Sequence, residues 1–235
     1  GEALALRAFL HFDLYRLFCP DVKLSPRAEG IPYNKEFGVV LPPMYTVEEV
    51  VQLVINDLKE AEILLASDPI VSTVPYTLGT KSDADKYVAR MNLYGVKAML
   101  ARAYQAKGDN VKAVAYAKEV IESGKFRLLE FASVDQTEAL TDVLFSDEHI
   151  FSLRNKELKD YSEKLHRDEK KDGATSFKPL PFGSYYNWYE GNNDDVRYSK
   201  WFNLGDFMKY YMDNTDAFFR KMPMIKLSEM YLIVA

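Results

Sequence analysis

The chain has 235 residues, 48% hydrophobic and 14% aromatic, which supports one core or two small ones and excludes disordered and collagen-like classes. Lys and Arg number 30 against 35 Asp and Glu; the net charge of −5 argues against general binding to a phosphate backbone. The single cysteine, Cys19, excludes an internal disulfide and a multi-cysteine metal site.

No stretch approaches the ~18 apolar residues of a membrane span. Arg7, His11, Asp13 and Arg16 interrupt the apolar run Ala3 to Phe18, and no basic leader precedes it, so it does not read as a lipoprotein signal. Neither terminus carries the residues that usually cap a helix, and the sequence reads as an internal piece of something longer.

The first predicted helix carries two apolar stripes. At 100° per residue, Leu4, Ala8, Phe12 and Tyr15 share one face, and Leu6, Leu10, Leu14 and Leu17 fall nearly opposite. Two opposed stripes predict a helix sandwiched between neighbours, as in a stacked helical array. Cys19 to Tyr45 follows, with five prolines and two glycines; it reads as a long surface loop. Thr46 and Glu49 then form a capping box ahead of Val47, Val50, Val51, Val54, Leu58, Ala61 and Leu65, an amphipathic helix ending near Ser67. A second loop runs from Asp68 to about Arg90.

Asn92 to Lys107 and Asn110 to Ser123 predict a helix pair turned at Gly108-Asp109. The order Leu100, Ala101, Tyr104, Gly108, Ala113, Ala117 has tetratricopeptide spacing: small residues let the helices approach, and Gly108 permits the turn. His149 to Arg154 predicts a short strand. Lys156 to Asp172 balances six basic against six acidic residues and reads as a solvated segment. Phe177 to Phe219 is rich in aromatic residues mixed with Gly, Asn and Asp.

Five stretches in order resemble one family. Gly1-Glu2-Ala3, Leu6 to Phe9, Phe12 and Tyr15 to Phe18 are similar to the early helix of SusD/RagB-type proteins, and Pro26-Arg27 fits the loop after it. Lys97-Ala98, Leu100 to Tyr104, Gly108, Ala113, Ala117, Val120-Ile121 and Ser123-Gly124 resemble its central repeat helices. Glu148 to Phe151, Asp194 to Arg197, and Pro223 to Leu232 resemble three further signatures. Cys19 stands where glycine is common in the family, and Lys226 where arginine is.

The resemblance implies a mostly α fold: a tetratricopeptide-like helical array with long loop insertions and little β structure. It implies one SusD-like domain fragment over 1–235, with repeat helices in 1–126 and a loop-rich aromatic part in 127–235. Family members are surface-exposed outer-membrane lipoproteins of Bacteroidetes-like bacteria. They bind glycans, occasionally peptides, for a SusC-like TonB-dependent transporter, and they are not enzymes. The expected partners are thus that transporter and a glycan, with no nucleic acid, and membrane contact only through an N-terminal lipid anchor outside this fragment. A tetratricopeptide scaffold for protein segments is the alternative.

Binding a sugar without chemistry needs flat apolar faces for the rings and polar groups for the hydroxyls. Tyr185, Tyr186, Trp188, Tyr189 and Asn192 offer both, though the aromatic residues could equally pack a short helix. Tyr33, Asn34, Tyr45 and Tyr76 are candidates in the two earlier loops. Asp195 and Arg197 read as a structural ion pair, and Trp201 as core. His11, His149 and His166 are scattered, so neither a metal nor another cofactor is expected. No phosphate loop, nucleophile elbow or zinc-protease motif occurs.

Overall fold

The structure is a computed structural model. It describes residues 1–36, 38–39, 41–75, 86–129, 144–158, 160–162, 186–191, 195, 197, 201–203, 206–207, 209–210 and 221–235. The chain forms two compact units. The first comprises Gly1–Arg127, His149–Phe151 and Ile225–Ala235; the second comprises Leu128–Glu148 and Ser152–Met224. Two segments that follow residue 127 in the sequence, His149–Phe151 and Ile225–Ala235, thus belong to the first unit.

The first unit is a helical array. α1 (Glu2–Phe18) packs on α2 (Val47–Leu64), α2 on α3 (Leu93–Lys107), α3 on α4 (Asn110–Glu122), and α5 (Leu227–Val234) on α4 and α3. α2 begins where Thr46 accepts the Glu49 amide and Glu49 Oε2 receives the Thr46 amide at 2.8 Å, a complete capping box. Val47, Val50, Val51 and Val54 are fully buried; burial outweighs the modest helix propensity of β-branched residues. Asn92 caps α3 by accepting the Gly95 amide at 2.9 Å, while its Nδ2 donates to Ile150 O at 2.9 Å. Gly108 ends α3 in the left-handed region at φ 87°. Ala101, Ala113 and Ala117 are buried where α3 meets α4, as the repeat spacing predicts.

Strand structure is sparse. β1 (Glu29–Pro32) and β2 (Met44–Thr46) pair antiparallel, with Glu29 opposite Thr46. Gly30 is required there, because a Cβ would stand 2.8 Å from Tyr45 O. The segment predicted as an irregular loop therefore contains a hairpin, and it buries Val22 and Tyr33. Strand partners so far apart in sequence leave no periodic signal. β3 (His149–Arg154) pairs with β6 (Lys221–Lys226), and Phe9 meets Phe151 edge-on at 5.7 Å. In the second unit, β4 (Phe202–Asn203) and β5 (Asp206–Phe207) form a minimal antiparallel pair.

α1 departs from its prediction. Ala5, Ala8, Phe9, Phe12 and Tyr15 are buried, but Leu6, Leu10, Leu14 and Leu17 are 36%, 59%, 44% and 73% exposed. Only one of the two stripes is covered, because the elements packed on α1 in this unit (α2, β1 and α3) all lie on the other side. Among the described residues no helix is long and apolar enough to cross a membrane.

Candidate functional site

In the first unit, four side chains fix the segment that leaves β1. Asp57 lies on the buried side of α2, with its side chain 9% exposed. Arg7 of α1 grips it in a fork, Nε to Oδ2 at 2.7 Å and Nη2 to Oδ1 at 2.8 Å. The Tyr33 hydroxyl donates to Oδ2 at 2.7 Å. Charge-assisted and bidentate bonds of this kind are the strong ones. Burial first, and then the Asp57 carboxylate, push the Tyr33 phenol well above its ordinary value. The bond to Asp57 raises Arg7 in turn, so the guanidinium stays charged.

His11 completes the cluster. Its ring stacks on Tyr33 with centroids 4.0 Å apart. Nε2 accepts the Asn34 amide at 3.1 Å, so the ring carries its proton on Nδ1, which donates to Arg7 O at 2.8 Å. Arg7 Nη1 also donates to Lys35 O at 2.8 Å. Backbone is thus held at residues 34 and 35, and a cleft of about 330 Å³ opens beyond them, lined by Tyr33, Asn34, Glu36, Leu41, Pro42 and Tyr45 among others.

Tyr33 is 1% exposed, with one face taken by His11 and its hydroxyl by Asp57, so its ring cannot lie against a sugar. Asn34 is exposed, and Tyr45 is half-buried. The sequence carried a signal for this cluster: Asp57 sits among Val50, Val54, Leu58 and Ala61 on an apolar face, where a carboxylate needs a partner.

A larger cleft of about 500 Å³ lies between α1, α3 and α5. Phe12, Tyr15, Arg16, Lys23, Gln105 and Glu229 are among its lining residues. Arg102 on its wall forms a bidentate ion pair with Glu229.

The second unit carries the aromatic candidates. Tyr186–Tyr189 forms a short 3-10 turn, closed by Glu190 and Gly191 at φ 56° and 71°. Trp188 points outward and is 63% exposed. Tyr189 turns inward: its ring meets Phe202 at 6.2 Å, and the Arg197 guanidinium lies 5.1 Å from its centroid. Arg197 is held by Asp195 through its backbone N, Nε and Nη2 at 2.8, 3.0 and 2.6 Å, the structural pair predicted from sequence. Phe202, Phe207 and Tyr210 extend the packed row, with centroids 5.5 and 6.2 Å apart. Adjacent residues thus divide the two roles that the sequence left open. Tyr189 packs, and Trp188 presents its indole to solvent. Tyr186 belongs to the same turn, whereas Tyr76, Tyr185 and Asn192 lie outside the described residues. Among the described residues, no cluster of three His, Cys, Asp or Glu side chains could hold a metal ion.

Residues 1–93 match the model of the SusD-like family described as starch-binding and associating with the outer membrane. A SusD superfamily protein of Bacteroides thetaiotaomicron superposes over 99% of this chain and 52% of its own, at 19% identity and a TM-score of 0.66. The fold is SusD-like. A SusD-like carbohydrate binding protein of Bacteroides vulgatus covers 100% of this chain and 49% of its own, at 20% identity and a TM-score of 0.63. For surface glycan-binding protein A of Bacteroides uniformis the shares are 99% and 52%, at 17% identity and a TM-score of 0.62. The chain therefore spans about half the length of these solved proteins. No curated protein matches it in sequence.

Proposed function

We propose that this SusD-like chain contributes to a non-catalytic glycan-binding protein at the outer-membrane surface, which hands its ligand to a SusC-like TonB-dependent transporter. The observation that carries this reading is the match of residues 1–93 to a family described as starch-binding and associating with the outer membrane. Two of the structurally similar proteins are described as carbohydrate or glycan binders. The exposed indole of Trp188, set on a turn whose neighbour Tyr189 is packed, supplies the flat apolar face that a pyranose ring stacks on. Asn34 and Glu36, on the anchored loop of the first unit, supply donors and acceptors for hydroxyl groups.

Binding by this means breaks no bond. The groups act by shape and hydrogen bonding, and the Arg7–Asp57–Tyr33 cluster keeps its loop from paying the entropy of ordering when ligand arrives.

Isothermal titration calorimetry of the full-length protein against laminari-, malto- and xylo-oligosaccharides, and against peptides, tests the reading. A glycan is expected to bind without turnover, and Trp188→Ala to weaken it by about tenfold, the equivalent of about 1.4 kcal/mol. Binding of peptides alone, or release of shortened sugars, would overturn glycan binding. Unchanged affinity in Trp188→Ala would overturn that residue's part in it.

A further inference from the structure

His11 is anchored through both ring nitrogens, and the two anchors ask opposite things of it. The Arg7 carbonyl can only accept, so Nδ1 carries a hydrogen toward it at 2.8 Å. The Asn34 amide can only donate, so Nε2 offers it a lone pair at 3.1 Å. Only the neutral imidazole with its hydrogen on Nδ1 satisfies both. The imidazolium has a hydrogen on each nitrogen and no lone pair in the ring plane. A proton and the Asn34 amide therefore compete for one position.

The neighbours decide what gives way when the proton wins. On α1, the Arg7 guanidinium is forked onto Asp57 of α2, and Glu2 and Asp13 pair with Arg90 and Arg16. The segment after β1 brings the Tyr33 ring, stacked at 4.0 Å, and Lys35, whose carbonyl accepts from Arg7 Nη1. Glu29 lies at the other end of β1, opposite Thr46. The cations of α3, Lys97, Arg102 and Lys107, are engaged with Glu119, Glu229 and Gln52. A positive ring is attracted to the Tyr33 face and to the Asp57 carboxylate that the Tyr33 hydroxyl binds. Its Nδ1 bond to Arg7 O is kept as well. The ring stays seated, and the bond that is lost is the one to Asn34.

We propose that His11 is an acid-sensitive latch on residues 34–36. Neutral, it holds the Asn34 backbone against α1; protonated, it lets that backbone go and loosens the rim of the cleft that Asn34 and Glu36 line. The hold of Arg7 on Lys35 O persists, so the change is confined to the rim. The latch itself does not depend on the ligand; that acid weakens a glycan held by Asn34 and Glu36 rests on the proposed glycan-binding function.

Hydrogen–deuterium exchange of the full-length protein without ligand, read by mass spectrometry on peptides containing residues 33–36, tests the latch at pH 8 and pH 5. Rates are divided by the intrinsic exchange rate at each pH, so that protection alone is compared. Loss of one hydrogen bond is expected to lower protection in the parent by at least about threefold at pH 5. His11→Gln sets a non-titrating amide oxygen near the position of Nε2, and His11→Phe keeps a ring on Tyr33 without an acceptor. In both variants the difference between the two pH values is expected to vanish, whatever protection each starts from. A smaller change in the parent would overturn the latch. So would the parent's acid-dependent loss persisting in either variant, which would assign it to another group.

Discussion

Replacing Asp57 by alanine separates a buried cluster from an ornamental ion pair. Asp57 receives three bonds of 2.7–2.8 Å, two from Arg7 and one from Tyr33, and its side chain is 9% exposed. Breaking a buried pair by removing one partner costs about 3–5 kcal/mol. Arg7 is 24% exposed and regains part of its hydration, which pulls its share to the lower end of that range. The Tyr33 hydroxyl, in a residue 1% exposed, loses its acceptor, at about 1 kcal/mol or more. The sum is about 4 kcal/mol, or roughly 10 °C in the melting temperature of a chain this size. Urea unfolding followed by far-ultraviolet circular dichroism measures it. Arg7→Met and Tyr33→Phe, added to Asp57→Ala, remove the stranded polar groups and are expected to restore at least half of the loss. A cost below about 1 kcal/mol for Asp57→Ala would place the pair among surface ion pairs and refute the argument. A triple variant no better than the single one would show that the energy resides in packing around Asp57 rather than in its bonds.

Asn92→Ala removes both the cap of α3 and the fully buried bond to Ile150 O, and an expected loss of about 2–3 kcal/mol is measured by the same unfolding curve; Asn92→Asp keeps the cap but sets a carboxylate oxygen against Ile150 O in a fully buried position, and is expected to lose at least as much. The folded-state phenol of Tyr33 lies above its ordinary value of 10.0, because burial and Asp57 oppose its ionisation. The folded protein therefore holds a proton that the unfolded chain releases, so this stabilisation is complete below about pH 10 and declines as pH rises beyond it. Unfolding curves between pH 9 and 11.5 should fall less steeply for Tyr33→Phe than for the parent, by up to about 1.4 kcal/mol per pH unit; identical slopes would refute it.

Much of the helical array was legible because its signals are local. A capping box lies within four residues, an apolar repeat within one helix, and a left-handed glycine at a single position; Thr46–Glu49, the valines of α2, and Gly108 each stand where those signals place them. The β1–β2 hairpin was not legible. Its pairing is set by Gly30 passing under Tyr45 O, a contact between residues 15 apart in a proline-rich stretch without alternation.

The candidate site divides in the same way. The sequence supplied the residue types, an aromatic run with Asn and Asp among it, but it could not say which ring of an adjacent pair turns inward. That follows from Phe202 and Arg197 meeting Tyr189 and leaving Trp188 in solvent. Tyr33 read as a loop residue available for stacking, and it became core because α1 and α2 together present Arg7, His11 and Asp57 to it.

By itself the sequence determined where the helices start and stop and which faces are apolar, since both depend on neighbours within a turn or two of the chain. The tertiary structure alone decided which apolar face is covered and which polar side chain is buried. Burial is a property of what arrives from elsewhere, and α1 carries two equally apolar stripes of which the fold described here covers one.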